Sequence, residues 1–205
     1  MKRFFCVFLL ISILFSCKKE NLKVLLFIKD GSPQLEYMLT NEVGIMSEIL
    51  KVAGFNVTIA TLSGDILKTS SVTMTPDIKL SDVNIDDYAG FIFPCMVVDS
   101  VSPEVISFLK KIAEKDKPMA AQVGSVYSLA EAGILNGKKF AFVDEKDDNA
   151  NMYPVLSGGI FSGNGVVQDG NIITSGTCPW MAKSTEAQDG TAKLTLKLIE
   201  VINTK

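Results

Sequence analysis

Val24-Leu25-Leu26-Phe27-Ile28 is an apolar run without alternation, and its reading decides the fold. A strand that shows apolar side chains on both faces must be covered on both faces, as in a parallel sheet. The chain that follows supplies the cover. A polar loop with Gly31 and Pro33 leads to Thr40 or Asn41, either of which can cap a helix. Ile45, Met46, Ile49, Leu50 and Ala53 give that helix an apolar face, and Gly54 stops it. Residues 55–61 read as a second strand, and the Ser/Thr-rich stretch 63–81 as short strands or a hairpin. Residues 90–93 form a third core strand, ended by Pro94. Ser102-Pro103-Glu104 combines a cap, a first-position proline and an acid in the first turn, so a helix starts there. Further strands are expected at 118–122, 139–143 and 171–174, the last after an Asp169-Gly170 turn. A short helix over 127–132 closes at Gly133, and an amphipathic helix over 191–202 ends the domain. Strands alternating with helices predict one α/β domain, a three-layer sandwich around a mainly parallel, flavodoxin-like sheet.

The N-terminus has a different character. Lys2 and Arg3 precede an apolar run over residues 4–15, and Ser16-Cys17 follows. That run is much shorter than the about 20 residues a spanning helix needs, which makes it a signal peptide core. Residues 1–16 are expected to be removed as a lipoprotein signal, with Cys17 lipidated. Residues 17–22 then form a short tether and 23–205 the folded domain. Extended, residues 18–22 reach at most about 18 Å, so the domain would sit close to a membrane surface outside the cytoplasm. The outer membrane or the periplasmic face is the expected address.

Composition removes several function classes. The net charge is −3, and two of the basic residues lie in the signal. No basic patch exists, and nucleic acid is not an expected partner. The chain has no histidine, which excludes Ser-His and Cys-His dyads and histidine metal sites. No cofactor and no metal are expected. The acidic run Asp144, Glu145, Asp147, Asp148 with Asn149 lacks calcium-loop spacing and reads as a solvated loop. Ser125 has no base beside it in the sequence pattern.

Several short pieces, weak singly, are specific in their order and spacing. They are Glu42 through Ala53-Gly54, residues 57–60, Ser71-Val72-Thr73 with Pro76-Asp77, and Phe93-Pro94. Then come Ala120-Ala121, residues 132–138 and residues 169–175. Together they make the chain resemble the ThiJ/PfpI family of the class I glutamine-amidotransferase-like superfamily, from Val24 to Ile202. The resemblance implies a cysteine nucleophile on a strained strand-to-helix turn, a glutamate sharing a hydrogen bond with it, and an oxyanion hole of backbone N–H groups. Peptidases, deglycases, glyoxalases and chaperones are described in this family. Carried over by position, only Glu42 survives. The nucleophile position holds Val123, followed by Gly124-Ser125-Val126. The Pro-Gly-Gly turn is Pro94-Cys95-Met96, and a histidine of some members falls on Gly158. Valine carries no nucleophilic atom and tolerates positive φ badly, so the turn is expected to have relaxed, or Gly124 to have taken the unusual dihedral.

Three residue readings stay open beside this comparison. Glu42 is either a first-turn acid on the helix dipole, a proton-transfer group, or a relic lining a ligand pocket. Cys178, before Pro179-Trp180, is a disulfide partner, a plain buried thiol, or a helix cap with a lowered pKa. Trp180 sits in a segment, 176–188, that family members usually lack, and it either packs that segment down or meets a ligand with Tyr127 and Met96. The resemblance also places the loops of Cys95 and Cys178 against each other across the former oxyanion site, where a disulfide could form. The expected role is a lipid-anchored, non-catalytic binding or accessory protein of the envelope, its partner an unidentified small molecule or envelope protein, with a homodimer left open. The alternative is an enzyme of the hydrolase, deglycase or glyoxalase type, or a thiol redox protein, with a relocated site using Glu42 and Cys95 or Cys178.

Overall fold

The computed structural model describes residues 22–95, 101–143 and 153–205. Seven strands form the main sheet: β1 (Lys23–Ile28), β2 (Asn56–Thr61), β5 (Ile78–Lys79), β6 (Gly90–Phe93), β7 (Met119–Gln122), β10 (Val166–Asp169) and β11 (Ile172–Ser175). Their order is β10-β11-β7-β6-β1-β2-β5, and every pairing is parallel except β10 with β11. β3 (Leu67–Lys68) and β4 (Thr73–Met74) make the small hairpin expected between residues 63 and 81. The strand expected over 139–143 is cut to β8 (Lys139–Phe140), which pairs with β9 (Ile160–Phe161) in a separate ribbon. One reason is that the Ala141 N–H donates to Thr174 Oγ1, a side chain rather than a ladder carbonyl.

The unbroken apolar run of β1 works as its pattern requires. Leu25 and Phe27 face one core with α3 (Pro103–Glu114) and α4 (Gly124–Glu131). Val24, Leu26 and Ile28 face the other, with α2 (Gly44–Val52) and the C-terminal helix α6 (Thr191–Asn203). Both faces are thus covered, and the three-layer α/β sandwich is what the structure has. α3 starts as its sequence requires, with the Ser102 side chain accepting from Val105 N. Two further helical pieces shape the site: α1 (Leu35–Met38) and α5 (Pro179–Ser184). No helix among the described residues is long and apolar enough to cross a membrane.

Candidate functional site

Glu42 reaches the interior because its helix is irregular. α1 passes into a π turn over Leu39–Val43 before continuing as α2. Such a turn adds a residue to the helix and redirects the side chains on it, often at functional sites. Thr40 and Asn41, read from sequence as caps, lie inside this helix, and their side chains donate to the carbonyls of Glu36 and Tyr37. The helix begins earlier, after Gln34. Glu42 is therefore no first-turn acid near solvent; it is 2% exposed. Its Oε2 accepts the Cys95 N–H at 2.7 Å.

The strand-to-helix elbow keeps its strain. β7 ends at Gln122, α4 begins at Gly124, and Val123 between them has φ 45° and ψ −105°. The expected relaxation, or its transfer to Gly124, does not occur. The surroundings over-determine the turn. The Val123 N–H donates to Ser175 O at 2.8 Å, the Val126 N–H to Val123 O at 2.9 Å, and the Ser125 hydroxyl to Pro94 O. Strain of this kind costs about 1–3 kcal/mol, and a glycine returns about 0.5–1 kcal/mol of that as backbone entropy. Val123→Gly should accordingly stabilise the fold by about 1 kcal/mol, read as a higher urea midpoint with unchanged slope; a lower midpoint would show that the valine side chain matters more than its dihedral.

Cys178 is brought in by a buried polar network that sequence reading missed. Gln122 Nε2 donates to Thr177 O at 2.7 Å and to Thr191 Oγ1 at 2.9 Å. The Ser175 hydroxyl also donates to Thr177 O, at 2.9 Å, and Thr177 Oγ1 donates to Gln188 O at 2.8 Å. These bonds fix the backbone just before Cys178, which is 1% exposed. The only hint in the sequence is a glutamine ending a strand whose other residues are Met119, Ala120 and Ala121.

The result is one cluster. Ligating atoms of Glu42, Cys95 and Cys178 all lie within 4.8 Å of one another. Among the described residues this trio is also the group whose donor atoms lie close enough to share a cation. Both cysteines are free thiols, so the pair expected to be close is close and unbridged. Burial pushes the Glu42 carboxyl up to about 9, and the negative charge of Cys178 adds to that. The Cys95 thiol donates to Cys178, which raises Cys95 well above its ordinary range and brings Cys178 down to about 7. The N–H groups of Met181 and Trp180 further favour the Cys178 thiolate, although neither makes a formal cap hydrogen bond. Near neutral pH Cys178 is therefore divided between thiol and thiolate, while Cys95 stays a thiol and Glu42 a neutral carboxylic acid.

The other residues singled out by sequence fall elsewhere. Trp180 is 45% exposed and meets the Tyr37 ring edge-on at 5.2 Å, with Lys183 Nζ 5.8 Å from the Tyr37 ring centre. The Tyr37 hydroxyl donates to Pro179 O at 3.2 Å, which pins α5 to α1. Tyr127 instead meets Tyr153 at 5.7 Å, so Trp180 and Tyr127 take different ring partners. Gly158 packs on Asn136, whose Oδ1 would lie 2.2 Å from an added Cβ, and it has no part in the cluster. Met96, Cys17 and the acidic run from Asp144 lie outside the described residues.

Residues 22–183 match the family model described as the DJ-1/PfpI family. The chain belongs to the DJ-1/PfpI family. An uncharacterized protein of Methanocaldococcus jannaschii is 28% identical over 173 residues, covering 77% of this chain and 78% of that protein. The crystal structure of Drosophila melanogaster DJ-1beta superposes with a TM-score of 0.67 at 25% identity, covering 90% of this chain and 92% of that one. A ThiJ/PfpI domain protein from Brachyspira murdochii shares the fold, with a TM-score of 0.66 at 16% identity over 89% of this chain and 97% of that one. Within this DJ-1/PfpI fold, Glu42, the elbow and Cys95 all meet at the carboxyl ends of the parallel strands, where α/β sheets bind ligands.

Proposed function

We propose that this DJ-1/PfpI-family chain is a lipid-anchored envelope protein working through a relocated thiol, Cys178, with Glu42 and Cys95 as its partners. The observation that carries the reading is the convergence of two thiols and one carboxyl within 4.8 Å. By the family resemblance the nucleophile belongs at the elbow, where Val123 has no nucleophilic atom. Cys178 arrives from the inserted segment and puts a thiol beside the same glutamate. A thiolate is the reactive form, and hydrogen bonds to it hold it available near neutral pH.

Alkylation with iodoacetamide tests this. In the full chain with Cys6 and Cys17 replaced by serine, Cys178 should modify with a pH midpoint near 7, against about 8.5 for an ordinary thiol. The same midpoint in folded and urea-unfolded chain would defeat the reading. A second reading, a non-catalytic binding or accessory protein, is favoured by the strained but inert Val123 and by the burial of Cys178. On either reading the elbow turns over no chromogenic peptide and no methylglyoxal, and Val123→Cys alone restores neither.

The anchor rests on the charged start, the short apolar run and Ser16-Cys17. The mature chain should partition into detergent, and Cys17→Ala should block lipidation. Normal processing and continued membrane attachment of Cys17→Ala would remove the anchor from the proposal.

A further inference from the structure

We infer that a cavity apart from the thiol cluster binds a small amphipathic carboxylic acid, with Lys79 and Lys111 taking its carboxylate.

The cavity follows from an irregular crossing. The chain between β2 and β6 contains the β3–β4 hairpin, the short edge strand β5 and two 3₁₀ turns, over Leu80–Asp82 and Ile85–Asp87, but no α-helix. Helices normally cover both faces of a parallel sheet. Here the space between the exits of β2 and β5 and one face of α3 stays open, with a volume of about 740 Å³. Small-molecule sites span roughly 300–1,000 Å³. Neither Glu42 nor either cysteine lines this one.

The lining sorts by depth. Leu80, Ile85 and Phe108 are buried and belong to the core on the α3 side of the sheet, and the half-buried Leu62 and Val83 pack against it. The rim carries Ser63, Lys79, Ser81, Ser107 and Lys111, all exposed. An apolar floor beneath a few polar groups suits a ligand with an apolar body and one polar head. The walls are held without a ligand. The Asp30 carboxylate accepts the Leu62 N–H at 3.2 Å and the Ser63 N–H at 2.9 Å. Lys115 Nζ donates to the two carboxylate oxygens of Asp86 at 2.6 and 2.7 Å, which ties the end of α3 to the turn at Ile85. Binding therefore needs little ordering of the protein.

Charge selects the head. Lys115 lies one turn along α3 from Lys111 and has its acid, as do Lys138, Lys197 and Lys205. Lys79 and Lys111 have none among the described residues. Glu104 is the acid in the lining, and it sits two turns before Lys111 on the same helix. Two cations less one anion leave a single positive charge, which matches a carboxylate better than a doubly charged phosphate. The ammonium groups take the head while the floor takes the tail, and the serine hydroxyls of the rim can donate to the same oxygens.

Residue-resolved lysine acetylation tests this on the full chain with Cys6 and Cys17 replaced by serine. The probe is decanoate, kept below its micelle concentration, and the peptide carrying each lysine is weighed by mass spectrometry. Saturating decanoate should slow acetylation of Lys79 and Lys111 by about threefold or more, because filled sites withdraw both ammonium groups from the reagent. Lys51 and Lys193, exposed on α2 and α6, should react at unchanged rates. Decyltrimethylammonium, with the same tail and a cationic head, should protect neither cavity lysine. Ser107→Trp, which fills the cavity from α3, should abolish the protection. The rates with and without decanoate compare the parent with itself, so the main result does not depend on any variant folding. Equal rates at Lys79 and Lys111 with and without decanoate would overturn the site. Equal protection by the cationic amphiphile would overturn the carboxylate. Protection of all four lysines alike, or protection that survives Ser107→Trp, would place the acid elsewhere and overturn the inference.

Discussion

Glu42→Gln should stabilise the protein by about 3 kcal/mol at pH 7 and leave it almost unchanged below pH 4. The unfolded carboxyl ionises near its ordinary value of 4.5, whereas the folded one keeps its proton to about 9. Between those values the unfolded chain binds fewer protons than the native one, so parent stability falls as pH rises. The stabilising contribution of the neutral acid is complete below pH 4.5 and is lost progressively up to about pH 9. At about 1.36 kcal/mol per unit, the 2.5 units between pH 4.5 and pH 7 amount to about 3 kcal/mol. Glutamine has the same shape and no charge to lose. Its carbonyl can still accept the Cys95 N–H, and its amide can still donate toward Cys178. Urea titrations of parent and variant from pH 4 to pH 8 check it. Curves that run parallel would mean that Glu42 is not held neutral. A Glu42→Gln protein more stable than the parent at pH 7 is the expected outcome, because a buried acid at a site is a liability for folding.

Most of the scaffold was legible because its residues obey local rules. The run from Val24 to Ile28 reads as a doubly covered strand and Ser102-Pro103-Glu104 as a helix start, and the structure has both. The misreadings have particular causes. Thr40 and Asn41 carry cap chemistry, yet both bond back to carbonyls four residues earlier, as such side chains also do within a helix. Nothing local announces the π turn over Leu39–Val43 in which both of them lie. At Val123 the local preference was read correctly and overruled: the bonds of its neighbours hold it in a conformation valine disfavours. Neither end of the Gln122–Thr177 link predicts the other, since the partners are 55 residues apart and the bond is buried. That link and its neighbours place Cys178 beside Glu42, so the site became visible only in three dimensions.

Gly176→Ala should cost more than about 3 kcal/mol and remove the acidic thiol with it. An added Cβ would lie 2.2 Å from Phe142 O, 2.4 Å from its carbonyl carbon and 2.9 Å from Asn164 Cα. All three are backbone atoms, so no rotamer change can make room. The chain is held from both sides at this point. The Gly176 N–H donates to Gly165 O at 3.2 Å, and Thr177 is tied by Gln122 and Ser175 immediately afterwards. Relief must come from moving either the backbone at Phe142, whose ring is buried against Tyr153, or the segment leading to Cys178. The two routes separate experimentally. If the Cys178 segment yields, thermal stability falls and the alkylation midpoint of Cys178 returns from near 7 toward the ordinary thiol value. If the Phe142 side yields, stability falls while that midpoint stays. An alanine variant as stable as the parent would show that this backbone crossing is looser than the structure has it. Gly190→Ala is the comparison: its Cβ would meet the Ser175 hydroxyl at 2.1 Å and Thr177 O at 3.1 Å. Relief there costs the hydrogen bond from Ser175 to Thr177 O but moves a side chain first, so a smaller loss than at Gly176 is expected.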